Sequence, residues 1–85
     1  MAANDYHDLL ARNIALIQRV CKKTAQEDSR FVEDLELDSI DLVGLVSEME
    51  DEFRVFVPEE RLRVFRTVGE ATRCLQELLE GEQVA

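Results

Sequence analysis

Apolar residues recur at helical spacing in several separate stretches of this chain. Leu10, Ile14, Ile17 and Cys21 follow one another at steps of four, three and four, and Leu9 and Val20 widen the same face. That is the stripe of an amphipathic α-helix. Asn4 or Asp5 can cap its start, and Arg19, Lys22 and Lys23 fall at its end, where cations complement the helix dipole. A first helix over about residues 5–21 is therefore predicted. From about Thr24 the periodicity fades, and Gln26-Glu27-Asp28-Ser29 is polar and turn-like. Phe31, Val32, Leu35 and Leu37 are apolar enough to hold a long loop, residues 22–38, down on a core. Loops of this length in a compact domain are usually functional.

A second stripe, Leu42, Leu45, Val46, Met49 and Phe53, predicts a helix over about residues 39–54. Turning the wheel away from it exposes Ile40, Asp41, Gly44, Ser47, Glu48 and Asp51, a polar and partly charged face. Val55-Phe56-Val57 links to Pro58, which suits the first turn of a helix, with Glu59 and Glu60 at its favourable end. A short third helix over about 59–65 is expected to bury Leu62 and Phe65, leaving Phe56 exposed in the link. Thr67-Val68-Gly69-Glu70 has capping-box spacing. A fourth helix over about 68–80 comes next, with Val68, Ala71, Cys74 or Leu75, and Leu78 facing inward and Gly81 as its stop. Val55 to Val57 is too short for a strand, and Pro58 ends it. The fold class predicted is all-α: a small four-helix bundle of three longer helices and one short third helix, with a long loop between helices 1 and 2.

Length and charge narrow the function. The 85 residues suffice for one domain and not two, and a single free-standing domain over residues 1–85 is expected. The net charge of −9 is concentrated. Residues 1–30 sum to +1, residues 61–85 to zero, and residues 31–60 set eleven acids against Arg54 alone, a net of −10. Nucleic acid, whose phosphate backbone demands a basic surface, is excluded as a partner. An acidic middle suits basic protein partners met quickly and released easily. Cys21 and Cys74 make no disulfide framework and fall on apolar stripes, where cysteine packs as a small hydrophobe. No signal peptide, transit peptide or membrane-spanning run is evident, so a cytoplasmic monomer is expected.

The candidate chemistry centres on Asp38-Ser39-Ile40-Asp41. Asp38 is a good N-cap, and Asp41, three residues on, adds a second carboxylate at the positive end of the helix. Ser39 would be the first residue inside, with its hydroxyl turned outward where the helix start favours an anion. A serine hydrolase would need a base and an orienter. His7 is a lone candidate in a distant first turn, so Ser39 reads as an acceptor that another enzyme activates rather than as a catalyst. His7 has no Cys or second His near it for a metal. An EF-hand loop starting at Asp34 fails, because its sixth and twelfth places hold Ser39 and Leu45 instead of glycine and glutamate. No metal site is expected. Spacing alone leaves Ser39 open between an acceptor and an ordinary helix-start serine.

The wider order of residues resembles the acyl carrier protein family. The Asp-Ser-(Leu/Ile)-Asp core of its attachment site is carried by Asp38, Ser39, Ile40 and Asp41. The match runs from Phe31-Val32-Glu33-Asp34-Leu35 through Glu50-Asp51-Glu52-Phe53 and Val57-Pro58-Glu59-Glu60 to Thr67-Val68. The resemblance implies the same four-helix fold and a non-enzymatic role. A phosphopantetheinyl transferase would move 4′-phosphopantetheine from coenzyme A to Ser39, with Asp38 as motif residue and helix cap. The arm would carry acyl groups as thioesters to enzymes of fatty acid or related lipid or polyketide biosynthesis. Partners with basic surfaces would dock on Ile40, Asp41, Gly44, Ser47, Glu48, Asp51 and Phe56. The alternative is an unmodified helical adaptor that keeps a carrier-like fold for protein contacts.

Four departures from the carriers of bulk fatty acid synthesis stand out. Glu36 replaces their glycine. Gly44 and Ser47 are small where an acid and a methionine are common. Arg54, Arg61, Arg63 and Arg66 fall in a region that is largely acidic in that group. Phe56 replaces a usual polar residue. They predict a specialised carrier with its own partners.

Overall fold

The structure, a computed structural model, describes residues 5–63 and 65–81. Four helices succeed one another: α1 (Tyr6–Cys21), α2 (Ser39–Phe53), α3 (Glu59–Leu62) and α4 (Val68–Gly81). Among the described residues there is no strand, and one isolated antiparallel bridge pairs Arg30 with Thr67. The chain is a small helical bundle, as its periodicity predicts.

Local chemistry starts and stops these helices. Asp5 caps α1, its carboxylate accepting from the Asp8 N–H at 3.3 Å; the alternative cap, Asn4, lies outside the described residues. Lys22 and Arg54 end α1 and α2 in the left-handed conformation, at φ 59° and 58°, and each cap N–H satisfies a last-turn carbonyl. The Thr67 capping box forms: the Glu70 N–H donates to Thr67 Oγ1, and Glu70 Oε1 accepts from the Thr67 and Arg66 N–H groups, all at 3.1 Å. The role of Gly81 as a stop turns on residues 82–85, which lie outside the described residues.

α1 packs chiefly on α4 and also on α2. Leu9, Leu16 and Ile17 meet Leu45, Met49 and Phe53 of α2 and Val68, Ala71, Cys74 and Leu75 of α4 in one buried cluster. The stripe of α1 is turned from the one its apolar spacing predicts. Its buried positions are Leu9, Asn13, Leu16 and Ile17; Leu10, Ile14 and Cys21 are only partly covered and Val20 is exposed. The cause is Asn13, fully buried, whose Nδ2 donates to the equally buried Thr72 Oγ1 at 3.0 Å. The Thr72 hydroxyl in turn donates to the Val68 carbonyl at 2.9 Å. A polar pair thus occupies the α1–α4 seam.

The long loop is seated by Ala25, Phe31 and Leu35, all buried, with Leu37 partly so. Val32, expected to help, is 60% exposed. Its neighbours Phe31 and Leu35 take the inward positions. Backbone bonds stitch the loop to the start of α4: Phe31 N–H to the Arg66 carbonyl (2.9 Å), Val68 N–H to Ser29 (3.0 Å) and Gly69 N–H to Glu27 (2.8 Å). A Cβ on Gly69 would meet Glu27 Cγ at 3.0 Å and the Glu27 carbonyl at 3.2 Å, so a side chain here would need the Glu27 segment to give by a few tenths of an ångström. Arg30 clamps the loop's turn by donating through Nε and a terminal nitrogen to both Asp34 oxygens, at 3.0 and 3.1 Å. With the Arg30 N–H added at 2.8 Å, the guanidinium and the backbone bond hold the Asp34 carboxyl down at about 2.

α3 is shorter than predicted. It ends at Leu62, and Phe65 is buried beyond it, stacked near Phe31 with ring centroids 6.4 Å apart. Pro58 caps the helix from outside instead of sitting in its first turn. One turn suffices because the link before it is anchored separately. Val55 and Val57 are buried, and the Val57 N–H donates to Glu50 Oε2 of α2 at 2.8 Å.

Candidate functional site

The start of α2 is built by two carboxylates facing each other's backbone. The Asp41 N–H donates to Asp38 Oδ1 at 2.8 Å, and the Asp38 N–H donates to Asp41 Oδ2 at 3.3 Å. Asp38 is the cap and Ser39 the first helical residue. Two of the orphan donors that every helix start leaves are satisfied from within. Ser39 is exposed, and among the described residues its hydroxyl touches no base. His7 is exposed in the first turn of α1, with its ring against Tyr6 at 6.0 Å.

Beside Ser39 a groove of about 230 Å³ opens between α2 and α3. Leu42 and Val43 form its α2 wall; Glu59, Leu62 and Arg63 form the other. Leu42, expected in the buried stripe, is half-buried here and belongs to the groove. On its far side, Asp41 borders a second cavity of about 310 Å³, with Cys21 and Lys23 of the first helix end and Leu35 and Leu37 of the loop. Burial pushes the Cys21 thiol up from its ordinary value, as it does that of Cys74; both are free thiols at the edge of or inside the core.

Below Ser39, α2 presents Ile40, Gly44, Ser47 and Asp51 at steps of four, three and four, with Asp41 and Glu48 alongside, all exposed. Ile40 is 80% and Val43 57% exposed. Nothing lies within 4 Å of a Cβ built on Gly44, so the middle of this face is shallow and open. Phe56, 69% exposed, does not join Ile40. It lies past the other end of α2, a helix of fifteen residues at about 1.5 Å each. No helix among the described residues is long and apolar enough to cross a membrane.

Residues 14–75 match the family model described as the phosphopantetheine attachment site. The chain belongs to the acyl carrier protein family. It is 38% identical over 73 residues to the acyl carrier protein of Lactobacillus acidophilus, a match covering 86% of each chain. It is 41% identical over 51 residues to that of a Sulfurovum species, covering 60% of this chain and 68% of the relative. The crystal structure of the acyl carrier protein of Thermotoga maritima superposes with a TM-score of 0.75 at 28% identity, over 91% of this chain and 93% of that one. The cofactor of this carrier is 4′-phosphopantetheine.

Three contributors to the carrier's groove, Glu59, Leu62 and Arg63, carry no site signal in the sequence. They come from a helix and its end, placed against α2 only by tertiary contacts. Val43 was legible in principle, since it stands one turn beyond Ser39 on the same side.

Proposed function

We propose that Ser39 is the residue to which 4′-phosphopantetheine is attached, and that the α2 face from Ile40 to Asp51 receives the partner enzymes. The observation that carries this reading is an exposed, base-free hydroxyl at the first residue of α2 that opens onto a largely apolar groove. The residues fit the group. Ser39 has the hydroxyl for a phosphodiester, Leu42, Val43 and Leu62 suit the branched hydrocarbon next to that phosphate, and Arg63 supplies a cation.

In the attachment step a transferase removes the Ser39 proton. Ser39 Oγ then bonds to the pantetheine-bearing phosphorus of coenzyme A, and the pyrophosphate P–O bond breaks to release 3′,5′-ADP. With no base of its own at Ser39, the chain is a substrate of that reaction and not its catalyst. The terminal thiol of the attached group then holds acyl chains as thioesters. Asp41, Glu48 and Asp51 favour basic docking surfaces by charge, and Ile40 and Val43 add apolar contact at the attachment end. The processing enzymes are those of fatty acid or related lipid or polyketide synthesis.

Incubation with coenzyme A and a broad-specificity transferase, then intact-mass measurement, tests the assignment. The wild-type protein is expected to gain one phosphopantetheine, and Ser39→Ala, equally helical by circular dichroism, none. A gain that survives Ser39→Ala moves the attachment elsewhere. No gain with several transferases leaves the unmodified adaptor.

A further inference from the structure

Among the described residues that line the α2–α3 groove, Arg63 is the one cation. We propose that Arg63 is a positioning residue for the phosphodiester on Ser39, drawing the root of the arm into this groove instead of leaving it free in water. The proposal rests on the reading of Ser39 as the attachment residue.

Three observations and one general property of arginine carry it. Ser39 and Arg63 line the same cavity of about 230 Å³, from opposite walls. Arg63 is exposed and makes no ion pair among the described residues, whereas Arg61 is held by Glu77 at 3.0 Å and Arg30 by Asp34 at 3.0 Å. Asp38 and Asp41 already occupy each other's backbone donors at the start of α2. A phosphate on Ser39 is therefore a third anion in one turn, and a guanidinium across the groove relieves that crowding. Lastly, the planar fork of arginine matches two phosphate oxygens, which an ammonium does only as a point charge.

Glu59 also lines the groove, one helical turn before Arg63. It competes for the guanidinium and repels the phosphate, so Arg63 must hold the phosphodiester against it. The contact is consequently salt-sensitive. It gives the arm two populations, one laid over Leu42, Val43 and Leu62 and one released.

Phosphorus NMR of the loaded protein tests this, with intact mass recorded on every sample. At low salt the wild-type phosphodiester resonance is expected to be displaced from that of free phosphopantetheine esters and to move toward it as sodium chloride is added. Arg63→Gln is expected to lose both the displacement and the salt dependence. Arg63→Lys should keep part of each, and Arg66→Gln, outside the groove, should match wild type. Resonances of wild type and Arg63→Gln that coincide at low salt, with equal mass gain, overturn the role of Arg63. Absence of any mass gain in wild type overturns the Ser39 reading on which it stands. Circular dichroism of Arg63→Gln must match wild type; Arg63→Glu, which repels the phosphate and should also give the free-ester resonance at every salt concentration, provides a second variant at the same exposed position.

Discussion

Glu36 holds a backbone conformation that suits glycine. Its φ is 58°, and a side chain there meets the carbonyl next in the chain, at a cost of roughly 1–2 kcal/mol. The strain is carried by the loop that delivers Ser39. Lys23 compensates in part, with Nζ donating to the Leu35 carbonyl at 3.0 Å and to Glu36 Oε1 at 2.9 Å. That hydrogen bond holds the Glu36 carboxyl below its usual value. The ion pair is exposed, which limits its worth to about 0–1 kcal/mol. Glycine and alanine both remove the pair, and only glycine relieves the strain. Glu36→Gly should therefore unfold at higher urea than Glu36→Ala, by about 1 kcal/mol. Equal midpoints would show that the positive φ costs nothing. The departure noted at Glu36 is therefore conformational before it is electrostatic. That φ is invisible in a glutamate read from sequence, whereas the facing carboxylates of Asp38 and Asp41 were legible because a capping box spans only four residues.

Among the elements, the α1–α4 seam is where the helical wheel misleads. Asn13 is no part of the apolar stripe that the spacing predicts, yet it is fully buried, and Thr72, 59 residues away, gives its amide a partner. Its Oδ1 remains buried without one. Removing the hydroxyl alone, in Thr72→Val, strands the Asn13 amide as well and should cost about 1–3 kcal/mol. Adding Asn13→Leu removes every unpaired polar atom. The double variant should recover that loss and equal or exceed wild type in urea denaturation. A double variant less stable than Thr72→Val would mean that the pair is worth more than its burial costs. The shortened α3 has a similar origin. Its end is set by the anchoring of Val57 to Glu50 and the burial of Phe65, neither of which is a property of the segment itself.

At the scale of the molecule, charge and apolar exposure are laid out unevenly. Eleven of the acids lie between residues 31 and 60, five of them on α2. Arg12 to Glu52, at 3.9 Å, is the ion pair that reaches α2 among the described residues. The net charge of −9 opposes compaction through self-repulsion. Sodium chloride should raise the melting temperature, and a divalent salt should raise it further at equal ionic strength. A melting temperature indifferent to both would remove repulsion as a main term in stability. The same helix exposes Ile40 and Val43 next to Asp38 and Asp41, so a partner docking there as proposed would meet charge and hydrocarbon together.

The sequence by itself determined the existence of the four helices, the capping boxes at Asp38 and Thr67, the position of Ser39 at the first residue of α2 and the polar, partly acidic face below it. Each depends on residues within a few positions of one another, through hydrogen bonds and periodicities that close within one or two turns. Only the tertiary structure decided that α1 turns to bury Asn13, that Glu36 sits at positive φ, and that Leu62 and Arg63 face Ser39 across a groove. Those outcomes depend on contacts between distant parts of the chain. The groove in particular depends on the tie from Val57, just before α3, to Glu50 of α2 and on the burial of Phe65 beyond α3, and no spacing within α2 or α3 encodes the space between them.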